Sequence, residues 1–207
     1  MKKVLCFGDS NTYGYNPETG GRFPEQERWC GILKLLAKNS FDIIEAGCNN
    51  RTAFSLNDSI DCCGFKSIKK YLKNNLYMII LQIGINDLQT GYNNSIADFK
   101  EKFENFIEEI RKNCTDTEIM LIVPSVIKDN ILNSNFSFAF DSSSIEKSKF
   151  LPGVYKDISR KYNYELVDLN KIAEVSEIDG LHYTKTGHKK IAEHIYKILS
   201  DKECFIF

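Results

Sequence analysis

The sequence lacks any apolar run approaching the roughly 20 residues of a bilayer span, so a membrane-spanning chain is not expected. It also lacks an excess of charge: 27 basic side chains face 28 acidic ones, for a net charge of −1. Without a long basic stretch it has no electrostatic footprint for a phosphate backbone, and nucleic acid is not an expected partner. Only 4 of its 207 residues are proline, while 43% are hydrophobic and 12% aromatic. That balance argues against disorder and for one domain spanning residues 1–207, since a domain of this size buries roughly 70% of its unfolded surface. The opening Met1–Asp9 has two lysines and too short an apolar run for a signal peptide, which points to the cytoplasm. The seven cysteines (Cys6, Cys30, Cys48, Cys62, Cys63, Cys114 and Cys204) are odd in number and scattered, and read as reduced cytosolic thiols. Adjacent Cys62-Cys63 lacks the two-residue gap of a chelating or redox pair and has no neighbouring histidine in sequence. Neither a metal nor a cofactor is expected.

What is present is an alternation. Five β-branched or apolar runs, Lys3–Phe7, Phe41–Ala46, Tyr77–Gly84, Glu118–Val123 and Tyr164–Leu169, read as strands. Met78–Leu81 and Ile119–Val123 are continuously apolar, as strands covered on both faces are. Between the runs lie helical patterns. Ile96, Phe99, Phe103, Phe106 and Ile110 recur behind Ser95 as N-cap, and Ile191, Ile195 and Ile198 behind Thr184. Leu33 with Leu36, and Ile68 with Tyr71 and Leu72, mark two weaker helices; another is predicted over Ser148–Tyr162. The fold class is therefore α/β, a three-layer α/β/α sandwich around a five-stranded parallel sheet of flavodoxin-like order. The irregular stretch Pro124–Pro152 carries Phe136, Phe138 and Phe140. These form either a short extra strand or a wall over a pocket or subunit interface, which leaves a homo-oligomer open.

In such a sheet ligands bind beyond the carboxyl ends of the strands, where strand order reverses. The loops there are Gly8-Asp9-Ser10-Asn11-Thr12 and Gly84-Ile85-Asn86-Asp87. A serine entering a helix from a strand end can present its hydroxyl to the crevice while its own N–H faces a developing oxyanion, but it needs a base. Three histidines exist. His194 falls inside the last helix and His188 follows Gly187 near its start, and structural roles suit both. His182 lies in a loop, Asp179-Gly180-Leu181-His182, three residues after an acid that can take a hydrogen bond from one ring nitrogen and free the other for the serine proton. The imidazole must be neutral to act, so activity should fall on acidification.

Gly8-Asp9-Ser10, Gly84-Ile85-Asn86-Asp87 and Asp179-Gly180-Leu181-His182 resemble, in order and approximate spacing, three blocks of the SGNH-hydrolase, or GDSL-esterase, superfamily. Gly8–Gly14, Arg28-Trp29 and Asn50-Arg51-Thr52 are similar to its arylesterase and acyltransferase branch. The resemblance implies the SGNH-hydrolase fold, with Ser10 as nucleophile, His182 as base and Asp179 as its orienting acid. It implies an oxyanion hole of the Ser10 N–H, the Asn86 side-chain amide and a second backbone N–H. The family has glycine where this chain has Asn50. Asparagine tolerates left-handed backbone angles, so Asn50 is the expected donor, with Gly47 as the alternative register. Asp9 is read as a brace for the nucleophile turn. Asn11, Arg51 and Asp87 are candidate substrate-binding residues, against ordinary roles as a surface ion pair for Arg51 and a loop-fixing or solvated acid for Asp87. Trp29 is either core or substrate platform.

The expected activity is hydrolysis of small or short-acyl carboxylic esters, such as aryl or sugar acetates, through an acyl-enzyme, with transfer to alcohols as a variant. The competing class is a catalytically silent α/β protein that binds a small ligand in the same crevice. Phosphate binding by Gly8–Gly14 is disfavoured because neither a phosphate-loop lysine nor its glycine spacing is present.

Overall fold

In a computed structural model, β1 (Lys2–Gly8), β2 (Phe41–Gly47), β3 (Met78–Gln82), β4 (Glu118–Val123) and β5 (Glu165–Asp168) pair in parallel. Their order is β2-β1-β3-β4-β5. The structure describes residues 1–56, 59–73 and 75–204, without the side chains of Ile60, Glu203 and Cys204, so the thiol expected at Cys204 lies outside the described residues. The helices are α1 (Ser10–Tyr13), α2 (Trp29–Leu36), α3 (Gly64–Ser67), α4 (Ile96–Asn113), α5 (Ser142–Ser148), α6 (Leu151–Tyr162) and α7 (Lys185–Cys204).

Each strand divides its side chains between two apolar layers, because successive residues face opposite ways. Leu5, Phe7, Ile79, Leu81 and Leu121 meet Phe99, Phe103 and Phe106 of α4 and Tyr155 and Ile158 of α6. On the other face Val4, Cys6, Ile80 and Met120 meet Trp29 and Leu33 of α2 and Ile191, Ile195 and Leu199 of α7. The central strands are apolar without alternation for this reason. Ser95 caps α4 through a reciprocal pair with Asp98, and the Thr184 hydroxyl accepts the Gly187 N–H at the start of α7.

Two local expectations change, and a third, left open between two forms, is decided. The helix predicted over Ser148–Tyr162 is α6 alone from Leu151, preceded by the separate α5. Pro152 has no N–H to give the carbonyl of Ser148, so it sits in the first turn of a new helix instead of continuing an old one. The Ile68–Leu72 helix shrinks to α3 and a 3-10 turn, Ile68–Lys70. Here the first amides of α3, Gly64 and Phe65, donate to Thr52 and Ala53 at 2.8 Å each and dock the segment sideways. Phe136–Phe140 is a turn and not a strand: Ala139 N–H donates back to Phe136, Phe140 is buried, and Phe138 is 83% exposed. Among the described residues no helix is long and apolar enough to cross a membrane.

Candidate active site

The carboxyl ends of β1 and β3 lie side by side, and the chain leaves β1 in a turn that only glycine permits. A Cβ on Gly8 would stand 2.1 Å from Thr12 Oγ1 and 2.2 Å from the Gln82 carbonyl. With neither obstruction, α1 folds back over the sheet. Asp9 caps it, accepting the Asn11 N–H at 2.9 Å. Burial pushes the Asp9 carboxyl up to about 7, against the Asn11 N–H and the Arg51 guanidinium, which both favour its charged form. Ser10, the first residue of α1, has no acceptor for its N–H among the described residues. Trp29 lies fully buried beneath the turn, its indole N–H shared between the Asn11 carbonyl and Gln82 Oε1 at 3.1 Å each. It is core and not a substrate platform.

Ser10 and His182 meet across the crevice, Oγ to Nε2 at 2.8 Å, and His182 Nδ1 lies 2.7 Å from Asp179 Oδ2. The carboxylate can only accept here, so Nδ1 carries the proton and the Nε2 lone pair faces the serine hydroxyl. Gly180, at φ 66°, curls the loop so that Asp179 Oδ1 also accepts the N–H groups of Leu181 and His182, at 2.9 and 3.0 Å. Burial would raise the Asp179 carboxyl, but the imidazole hydrogen bond and these amides hold it below the usual carboxylate range. Tyr15 and Phe136 pack at a tilt against His182, with ring centroids at 4.3 and 5.1 Å. His188 is buried with Nδ1 accepting the Trp29 N–H at 3.3 Å, and burial lowers its pKa to about 3. His194 is exposed on α7.

Asn50 adopts φ 59°, the left-handed conformation expected of a residue standing in for glycine, and its N–H has no acceptor among the described residues. Gly47 serves packing instead. It ends β2 against α1, where a Cβ would come within 2.1 Å of the Tyr13 nitrogen. Asn86 sits on a 3-10 turn, Ile85–Leu88, with one Nδ2 hydrogen given to the Arg51 carbonyl at 3.0 Å. The second is directed to no protein acceptor among the described residues.

Asn11, Arg51 and Asp87 do not line the cavity, which corrects their reading as substrate contacts. Asn11 ties the two halves of the crevice together, donating to the Leu181 carbonyl and accepting the Tyr183 N–H, both at 3.2 Å. Arg51, 2% exposed, donates to the carbonyls of Gly8 (2.9 Å), Asp61 (2.8 Å) and Ala46. It is neither substrate-facing nor a surface ion pair. Asp87, fully buried, accepts the N–H groups of Ala53, Phe54 and Ser55 and so anchors the segment after Arg51. Burial is what the sequence reading missed: both side chains satisfy backbone groups, Arg51 the carbonyls of Gly8, Ala46 and Asp61, and Asp87 the amides of Ala53, Phe54 and Ser55.

A cavity of about 330 Å³ opens above these groups. Ser10, His182, Asn50 and Asn86 form its floor, and Tyr15, Phe136, Phe138, Phe140 and Leu181 its walls. The phenylalanines of the irregular stretch are thus a wall over the pocket. Tyr15, absent from the sequence reading, is brought there by a bridge to Arg22 that no local motif announces. Gln89 also borders the cavity and was missed, although it stands only three residues after Asn86. The arrangement can deliver a proton-stripped hydroxyl to a carbonyl carbon while N–H groups face its oxygen.

Comparison with known proteins places the chain in a family. Residues 4–195 match the family model described as GDSL-like lipase/acylhydrolase. A curated relative, the uncharacterized lipoprotein YqeF of Bacillus subtilis (strain 168), is 28% identical over 182 residues, covering 86% of this chain and 70% of the relative. Among solved structures, a carbohydrate acetylesterase family member from Sinorhizobium meliloti superposes with a TM-score of 0.85 at 23% identity, over 96% of this chain and 97% of that one. The inhibitor-bound aryl esterase of M. smegmatis does so with a TM-score of 0.86 at 21% identity, over 97% and 99%. Both share the fold described above.

Proposed function

The chain belongs to the GDSL-like lipase/acylhydrolase family, within the SGNH-hydrolase superfamily, and as a carboxylic ester hydrolase of that kind we propose that it uses Ser10 as nucleophile. The observation that carries this is the relay at the cavity floor, Asp179 to His182 at 2.7 Å and His182 to Ser10 at 2.8 Å. Ser10 Oγ attacks the ester carbonyl carbon while His182 Nε2 takes its proton, and Asp179 stabilises the imidazolium. The negative oxygen is held by the N–H groups of Ser10 and Asn50 and by Asn86 Nδ2. Collapse expels the alcohol, which receives the proton from His182. Water, deprotonated by the same ring, then attacks the acyl-enzyme and releases the acid and Ser10. An alcohol in place of water gives acyl transfer.

The substrate we favour is a small ester with a short acyl group. A volume of about 330 Å³ lies at the small end of ligand pockets, which run from about 300 to 1,000 Å³. Aromatic walls suit an aryl alcohol better than a sugar, whose hydroxyls need polar partners. The names of the two structural neighbours, an aryl esterase and a carbohydrate acetylesterase, fit an aryl ester or a sugar acetate. We also propose a cytoplasmic location, although one relative is named a lipoprotein, and cell fractionation decides it.

The test pairs a chain-length series of p-nitrophenyl esters and acetylated sugars with a fluorophosphonate probe. Acetate should give the highest kcat/KM, the probe should label Ser10, and Ser10→Ala should abolish both. Labelling absent from the wild type would return the chain to the ligand-binding class.

A further inference from the structure

The proposed chemistry draws on Asn50 and Asn86, which lie on separate loops, and something must keep both aimed at one point. Gln89 touches the two at once. Its Nε2 donates to Asn50 Oδ1 at 2.7 Å and to Asn86 Oδ1 at 3.0 Å, so both of its amide hydrogens are used. We infer that Gln89 is a positioning residue that clamps the two oxyanion donors, an inference that rests on the ester-hydrolase reading above.

The reason lies in the symmetry of a carboxamide. Asn86 can turn over with little change of shape, exchanging Nδ2 for Oδ1, and only its contacts decide between the two orientations. Gln89 supplies a donor to Oδ1, and the Arg51 carbonyl takes one Nδ2 hydrogen at 3.0 Å. The remaining Nδ2 hydrogen is the one available to a substrate oxygen. In the turned-over state, Oδ1 would oppose the Arg51 carbonyl, Nδ2 would oppose the Gln89 donor, and an acceptor would face the developing negative charge. At Asn50 the same clamp acts on the backbone. The side chain is tied down while the residue sits at φ 59°, the conformation that directs its N–H. Both effects bear on charge that exists only in the transition state, so losing them should lower kcat and leave KM nearly unchanged.

The test is the pair Gln89→Ala and Gln89→Glu, assayed with p-nitrophenyl acetate at pH 8. Gln89 is half-buried, and unchanged melting temperatures should show that both variants fold. Alanine should cost about tenfold in kcat, a fraction of the 10²–10³ that removal of a whole donor costs, with KM within about twofold. Glutamate fills the same volume but offers no hydrogen and adds a negative charge, so it should cost more than alanine; a packing role predicts the reverse order. In an Asn86→Ala background the alanine change should cost less than about threefold, because its main target is gone. Wild-type kcat in both variants, or full multiplicative losses in the double variant, overturns the inference while the hydrolase reading stands on Ser10 labelling. A wild-type chain that turns over no ester overturns both.

Discussion

The guanidinium of Arg51 donates to the carbonyl of Gly8 at 2.9 Å, directly behind the turn that carries Ser10. Its other acceptors, the carbonyls of Ala46 and Asp61, lie at the end of β2 and beyond it. One buried cation thus fastens the nucleophile turn to the loop that bears Asn50. Arg51→Met keeps much of the volume and leaves three carbonyls short of a donor. It should lower unfolding free energy by about 2–4 kcal/mol in urea titrations and reduce kcat. A variant with wild-type stability and rate would show these bonds to be dispensable.

Asp179→Asn should leave the fold intact and lower kcat by about 10²–10⁴, because an amide can hold the imidazole in the wrong tautomer and cannot stabilise its cation. Pre-steady-state kinetics with p-nitrophenyl acetate should show both acylation and deacylation slowed, since the same ring serves both.

Position 50 separates backbone from side chain. Asn50→Val should cost about 1–2 kcal/mol in stability and a larger share of kcat, since a β-branched residue resists φ 59°. Asn50→Gly should accept the angle without strain and lose only the tie to Gln89, so its kcat should fall between those of valine and wild type.

Asp9 and His188 should give stability opposite pH slopes. Burial raises Asp9 from 3.8 to about 7, so across that window the folded chain keeps a proton the unfolded chain has released, and stability falls as pH rises. Burial lowers His188 from 6.5 to about 3, so there the unfolded chain holds the extra proton and stability falls as pH drops. Asp9→Asn preserves a capping side chain and removes the first slope. Relative to wild type it should gain up to about 4 kcal/mol between pH 4 and pH 8. Equal denaturation midpoint differences at the two pH values would contradict a buried, proton-holding Asp9.

Phe138, 83% exposed on the cavity wall, contributes nothing to the core. Phe138→Ala should leave the melting temperature within about 2 °C and raise KM for aryl acetates about three- to tenfold with kcat little changed.

The sheet and the residues proposed to react were legible in the sequence because short local patterns carry them. Continuous apolar runs mark buried strands, Ser95 marks a helix start, and the serine after β1 and the Asp-x-x-His before α7 each resemble a family block a few adjacent residues long. Arg51, Asp87 and Gln89 were read wrongly or passed over because their partners are backbone groups or amides, some of them 32 to 43 positions away, that no local pattern ties to them. Nothing local distinguishes a buried arginine from a solvated one. The alternating phenylalanines left a strand and a pocket wall equally open, because a period of two does not tell them apart; a turn spreads Phe136, Phe138 and Phe140 over the mouth of the pocket.

That turn has a consequence for how such a chain diversifies. Ser10 and Asn86 follow the ends of β1 and β3, which are locked into both layers, but three of the five walls belong to one excursion of the backbone between β4 and α5. Exchanges confined to those few positions can retune which leaving group is accepted while the proton relay stays untouched, so selectivity is free to drift at a pace the chemistry does not set.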